Sequence, residues 1–170
     1  MVSKSAQDSA AVAEQQKISE SRILVVDDNA QNLELIVAYL ETLGCGISTA
    51  ADGLEAIEKV SQENPDLILL DIMMPRMSGF EVCRKLKSNP ETRDIPIIMV
   101  TALHELGDIE RGVESGTDDF ITKPVNRLEL LTRVKSLLRV RHLKNELERT
   151  LAYLSEVEAR SEDASGNSPA

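Results

Sequence analysis

Tryptophan is absent, and the other aromatic residues amount to two Tyr and two Phe, 2% of the chain. So few rings leave little on which unpaired bases could stack. Positive charge is also scarce: 19 Lys and Arg stand against 29 Asp and Glu, a formal net charge of −10. Such a field repels phosphate backbones and disfavours acidic or neutral membrane surfaces, so neither nucleic acid nor membrane is an expected partner. No apolar run reaches the roughly 18 residues of a membrane span, and residues 1–21 lack the apolar core of a signal peptide. The cytosol is the expected compartment. Cys45 and Cys83 have no CxxC spacing and read as reduced, buried, small apolar residues. His104 and His142 have no companions at metal-ligand spacing.

The 170 residues, 42% of them apolar, hold one ordinary domain and no second catalytic one. Residues 1–21 are rich in Ser, Ala and Gln without a sustained period, which predicts a disordered leader. Residues 161–170 read the same way, and their polar, Gly/Ser/Pro-containing composition favours a natural terminus. Between them lie a domain at 22–138 and a helical extension at 139–160.

Within the domain, apolar runs at 22–26, 46–49, 66–70, 95–100 and 119–122 alternate with amphipathic stretches that start near Asn29, Gly53, Ser78, His104 and Asn126. Strict alternation implies βαβ units. The runs at 22–26, 66–70 and 95–100 are continuously apolar, as strands covered on both faces must be. The expected fold is a doubly wound α/β sandwich around a five-stranded parallel sheet. Its right-handed crossovers bring all strand C-termini to one edge.

That edge collects the chemistry. Asp27 and Asp28 follow the first strand, Asp71 the third, Thr101 the fourth, and Lys123 with Pro124 the fifth. One Asp behind a strand is ordinarily a turn or capping residue, and Asn29 could cap alone. Five such groups converging on one rim are a different matter. Packed carboxylates raise one another's pKa unless a cation neutralises them, and a hard divalent ion such as Mg²⁺ suits oxygen ligands. Lys123 is then explained by a phosphoryl group, whose oxygens an ion, an ammonium and a hydroxyl can share. Asp71, at the end of a buried run, is the expected nucleophile, forming an aspartyl phosphate.

The stretches "VVDDN" (25–29), "LLDIMMPRMSG" (69–79), "MVTA" (99–102) and "DDFITKP" (118–124) resemble those of the receiver domain of two-component response regulators. The resemblance covers about residues 23–138. It implies a flavodoxin-like strand order 2-1-3-4-5, with Asp71 as phosphoacceptor. Asp28, Asp71 and the backbone carbonyl of Met73 would ligate Mg²⁺, and Asp27 would support the ion through water. Thr101 and the backbone N–H of Ala102 would hold phosphoryl oxygens, Lys123 would pair with the phosphoryl group, and the Lys123–Pro124 bond would be cis. Phe120 stands where the family carries a rotamer switch, and reads equally as a core ring. Met73 and Leu103, two residues past Asp71 and Thr101, would control water access. Ser78 and Gly79 read as the cap and first turn of a helix. Gly107 and Gly112 weaken the helix expected at 105–115, and Gly116 would end it.

Past residue 138 the sequence runs on without a breaker. Val140, Leu143, Leu147, Thr150, Leu154 and Val157 fall at heptad a and d positions, the pattern of a coiled-coil homodimer. A lone solvated helix, or a stripe folded back on the domain, fits the same pattern. Residues 127–149 carry seven Lys or Arg and three Glu, a basic segment suited to an acidic protein surface or to charge pairing across a helix dimer. The expected function is a response regulator phosphorylated by a histidine kinase or phosphotransfer protein and signalling to a downstream protein, with no enzymatic turnover beyond its own phosphorylation and dephosphorylation. The alternative is a regulatory receiver within a longer signalling enzyme such as a nucleotide cyclase. A metal-dependent phosphoesterase is disfavoured, since no separate base is visible.

Overall fold

The protein is described by a computed structural model covering residues 4–102 and 106–165, so Leu103 and His104 lie outside the described residues. Five parallel strands form one sheet: β1 (Arg22–Val26), β2 (Gly46–Ala50), β3 (Leu67–Asp71), β4 (Ile97–Thr101) and β5 (Asp119–Thr122), in the order β2-β1-β3-β4-β5. The register sets Val26 beside Leu70, Asp71 beside Val100, and Thr101 beside Thr122, which levels the strand ends along one rim.

The apolar runs have the expected cause. Leu24, Val26, Ile68, Leu70, Ile97 and Met99 pack on one face with residues from α3 (Gly53–Glu63) and α4 (Gly79–Ser88). Ile23, Val25, Leu67, Leu69, Ile98 and Val100 pack on the other with residues from α2 (Ala30–Leu40) and α6 (Arg127–Ser165). With both faces covered, alternation would bury polar side chains without partners. Helix starts are fixed by caps: Asn29 accepts from the N–H groups of Gln31 and Asn32, Asp52 from that of Glu55, and Ser78 forms a reciprocal box with Glu81. Gly116, at φ +91°, follows α5 (Leu106–Ser115) in the left-handed conformation that ends a helix. Gly107 lies in the first turn of α5, not its interior. Cys45 and Cys83 are both free; Cys83 is buried as expected, whereas Cys45 is only half-buried.

Residues 4–19 form a helix, α1 (Lys4–Ser19), where composition predicted disorder. A single apolar anchor, Ile18, is buried in the core beneath α2 and α6, too little to register as a periodic face. Polar contacts do the rest: Glu14 pairs with Arg139, Lys17 with Glu146, and the Ser21 hydroxyl lies 2.9 Å from His142 Nε2. The C-terminal expectation also changes, because α6 continues to Ser165 and residues 161–165, free of Gly and Pro, are helical.

Along α6, Leu130, Val134 and Leu138 are fully buried, and beyond them the apolar residues from Val140 to Val157 are exposed. The basic segment is largely matched within the chain. Arg133 binds Asp119 and Glu129, Arg139 binds Glu14, Lys144 binds Asp94, and Arg141 donates to the Asp94 carbonyl.

Candidate functional site

At the C-terminal rim, β1 delivers Asp27 and Asp28, and β3 ends on Asp71. Asp27 and Asp71 are buried at 1% and 4% exposure, whereas Asp28 is open to solvent. One oxygen from each of the three carboxylates lies within 4.8 Å of the others. Lys123, just past β5, reaches across the rim: its Nζ donates to Asp27 Oδ2 at 3.0 Å and to Asp71 Oδ1 at 3.2 Å. Asp27 is held from the other side by the Asn29 N–H on its Oδ1, 2.9 Å, so one capping loop positions both the carboxylate and α2. The Lys123 N–H donates to the Thr101 carbonyl, 2.8 Å, tying the loop after β5 to the end of β4, and the Lys123–Pro124 bond is cis.

The charge count does not balance. Burial raises the pKa of Asp71, the charge of Asp27 raises it further, and Lys123 only partly offsets this. For Lys123 burial acts to lower the pKa, but the hydrogen bonds and charges of Asp27 and Asp71 outweigh it and the net shift is upward. Three carboxylates share one ammonium. The arrangement is a donor set for a second cation, and an all-oxygen set with one solvent-facing carboxylate suits a hard divalent ion that keeps part of its water.

Thr101 closes β4 beside this cluster, almost buried, and Ala102 follows it, exposed. Met73 lies two residues beyond Asp71 with its side chain 66% exposed, while Met74 turns inward. Phe120 sits on β5 opposite Met99, half-buried against the core on the α3–α4 face. Asp27, Asp28, Asp71 and Lys123 thus meet directly, Thr101 stands at the next strand end, and Phe120 lies below the rim in the packing.

Two glycines matter more than the sequence suggested. A Cβ on Gly79 would lie 2.3 Å from the Asp71 carbonyl oxygen, so the first turn of α4 rests on the backbone of Asp71, and the Gly79 N–H donates to Ile72, 2.9 Å. A Cβ on Gly112 would lie 2.3 Å from Phe120 Cζ and 2.5 Å from its Cε1. Gly112 is the seat of that ring. Each close approach spans only eight residues, Asp71 to Gly79 and Gly112 to Phe120, but it depends on how strand and helix fold on one another, and a Gly next to a cap or inside a helix gives no sign of what passes over it.

The model of the response regulator receiver domain matches residues 23–135. The chain belongs to this family. Among receiver-containing relatives, the response regulator PleD of Caulobacter vibrioides is 49% identical over 127 residues, 75% of this chain and 28% of that protein. The transcriptional regulatory protein ResD of Bacillus subtilis is 48% identical over 121 residues, 71% of this chain and 49% of that protein. The chain therefore spans about half or less of the length of these curated relatives. Among solved structures, a CheY-like receiver domain protein from Methanospirillum hungatei superposes with TM-score 0.69 at 32% identity, covering 74% of this chain and 98% of that one. The signal receiver domain of a histidine kinase from Syntrophus aciditrophicus gives 0.67 at 40%, covering 70% and 90%. The receiver fold thus accounts for the rim and its carboxylates, and α1 and the distal half of α6 lie outside the matched residues.

Proposed function

We propose that this receiver is a phosphorylation-controlled switch in the cytosol, in which Asp71 takes a phosphoryl group from a phosphohistidine of a histidine kinase or phosphotransfer protein and the modified domain engages a downstream protein. A carboxylate oxygen of Asp71 attacks phosphorus; the P–N bond to the donor imidazole breaks, and the imidazole leaves with the electron pair and takes up a proton. The observation that carries the reading is the imbalance at the rim, three carboxylates within 4.8 Å against one bridging Lys123. Asp28, Asp71 and the Met73 carbonyl, with Asp27 acting through water, would hold Mg²⁺, which supplies neutralising charge to the carboxylates and the transferred oxygens.

The remaining roles fall to this chain's own groups. Lys123 exchanges its carboxylate contacts for a phosphoryl oxygen, and the Thr101 hydroxyl and the Ala102 N–H hold the others. Thr101 moving toward the phosphoryl group vacates space into which Phe120 turns, and the surface of α5, β5 and α6 changes with it. The chain turns over no separate substrate. Self-association through α6 belongs to the same reading.

Labelling with acetyl phosphate, followed by intact mass, tests it. Wild type is expected to gain one acid-stable, hydroxylamine-labile phosphoryl group, Asp71→Asn none, and Asp28→Ala far less because the ion is lost. Equal, hydroxylamine-stable incorporation in wild type and Asp71→Asn would overturn the assignment.

A further inference from the structure

The loop at 72–78, between β3 and α4, carries the Met73 carbonyl, and it contains a backbone outlier. Arg76 has φ +67°, in the left-handed region, and across it the Met77 N–H donates to the Pro75 carbonyl at 2.8 Å. A hydrogen bond spanning a single residue of positive φ is the rare, strained form of the γ-turn, which Gly adopts freely and a residue with a Cβ does not. Among the described residues, the other non-Gly residue of positive φ is Asn64 at the end of α3, a residue type whose short polar side chain tolerates that conformation. Arg has no such tolerance, so its surroundings must hold it there.

Those surroundings are the start of α3. The Arg76 Nη2 lies 3.0 Å from Asp52 Oδ2. Asp52 is itself fixed: its Oδ1 accepts from the Glu55 N–H at 2.9 Å as the cap of α3, and Glu55 in turn accepts from the Ala51 N–H at 2.8 Å. A packing contact runs beside this ion pair. A Cβ on Gly53 would lie 3.0 Å from Met77 Cβ, so the residue after Arg76 rests directly on the first turn of α3. At the other end of the loop the Ile72 carbonyl accepts from the Met74 N–H at 3.2 Å and from the Gly79 N–H at 2.9 Å. Met73 lies between these two anchors with its own side chain in solvent.

We infer that Arg76 is a positioning residue for the divalent ion: its inverted turn and its bond to Asp52 set the loop before the ion arrives, so that the Met73 carbonyl is presented without further ordering. This role rests on the ion site of the proposed function and names what fixes its backbone ligand. An exposed ion pair contributes little by itself. Here it acts through conformational entropy, because a loop left free would have to be ordered by the ion, and that cost would subtract from the ion's affinity.

Charge has to be separated from position in the test, since removing a cation near carboxylates tightens the hold on a divalent ion by field alone. Asp52→Asn with Arg76→Gln replaces one neutral pair by another, and Asn still caps α3. Calorimetric titration of this pair variant with Mg²⁺ is expected to show about threefold weaker binding than wild type, within the range of an exposed ion pair, at unchanged far-UV circular dichroism. Its Met77 amide should exchange hydrogen faster than that of wild type without Mg²⁺ and slow when Mg²⁺ is added. Arg76→Lys, which can still pair with Asp52, should recover most of the affinity. A pair variant with wild-type Mg²⁺ affinity, unchanged exchange at Met77, or an Arg76→Lys no better than the pair variant overturns the positioning role and leaves the ion site standing. A wild type that binds no Mg²⁺ removes the ion site with it.

Discussion

Lys123 spends the unmodified state bridging Asp27 and Asp71, and this double contact sets what its removal does. Lys123→Ala leaves three carboxylates with no internal cation, so the metal-free protein should be destabilised and Mg²⁺ should bind more tightly, because a competing charge has gone. Calorimetric titration checks this; weaker Mg²⁺ binding than wild type contradicts it. Labelling of Asp71 should persist while its effect on the α5–β5–α6 surface is lost.

Asp71 gives a second consequence at the same scale. Burial and Asp27 raise its folded pKa above the unfolded value near 4, so its share of stability is complete below about pH 4 and is lost as pH rises through the folded value. Asp71→Asn removes the ionisation. In EDTA the variant should melt above wild type at neutral pH, and the difference should vanish as pH falls below about 4. A constant offset across the range would mean that the Asp71 charge is not its source. Asp27, Asp28, Asp71 and Thr101 were legible in sequence because they stand at the ends of buried apolar runs, and Lys123 because it follows the shorter, half-buried β5. The bridging by Lys123 and the seats at Gly79 and Gly112 were not, since each depends on which segments meet.

Among the elements, α5 and β5 meet where the Phe120 ring passes over Gly112. Gly112→Ala leaves no room for that ring, while Ala favours the helix by about 1 kcal/mol. The expected result is a displaced Phe120 without phosphorylation, read as a shift of its ring resonances toward those of the beryllofluoride-treated wild type; unshifted resonances would mean α5 moves instead.

The N-terminal helix poses a different balance. Its ion pairs are exposed and contribute at most about 1 kcal/mol each, whereas Ile18 is fully buried. Ile18→Ala should therefore cost about 2–5 kcal/mol in urea unfolding and Lys17→Ala under about 1. This asymmetry is also why α1 was illegible: its main anchor is the one side chain of Ile18, packed in the cluster that holds Leu130, Val134 and Leu138 of α6, and its ion-pair partners Arg139 and Glu146 stand far along the chain. The core strands needed no such help, because burial on both faces writes itself into β3, β4 and all of β1 beyond the exposed Arg22.

For the molecule as a whole, the 39 residues of α6 form one continuous rod about 58 Å long. Its root begins four residues after Lys123, beside the rim, and its tip lies beyond the opposite edge of the sheet. Near its middle it is held between α1 and Asp94, at Arg139, Arg141, His142, Lys144 and Glu146. A rod held at mid-length is a seesaw. From the centre of those contacts, near His142, the arms are about 23 Å and about 34 Å, so a sideways shift of the root should reappear at the tip about one and a half times larger and with opposite sign. Spin labels at Ser88→Cys and Ser161→Cys, in a Cys45→Ser background, would read this as a change in their separation on beryllofluoride treatment; an unchanged separation would show that the fulcrum is a clamp. The carboxylate rim would then speak to the far end of the molecule by mechanical leverage along α6, with the packing around Leu130, Val134 and Leu138 yielding at its root.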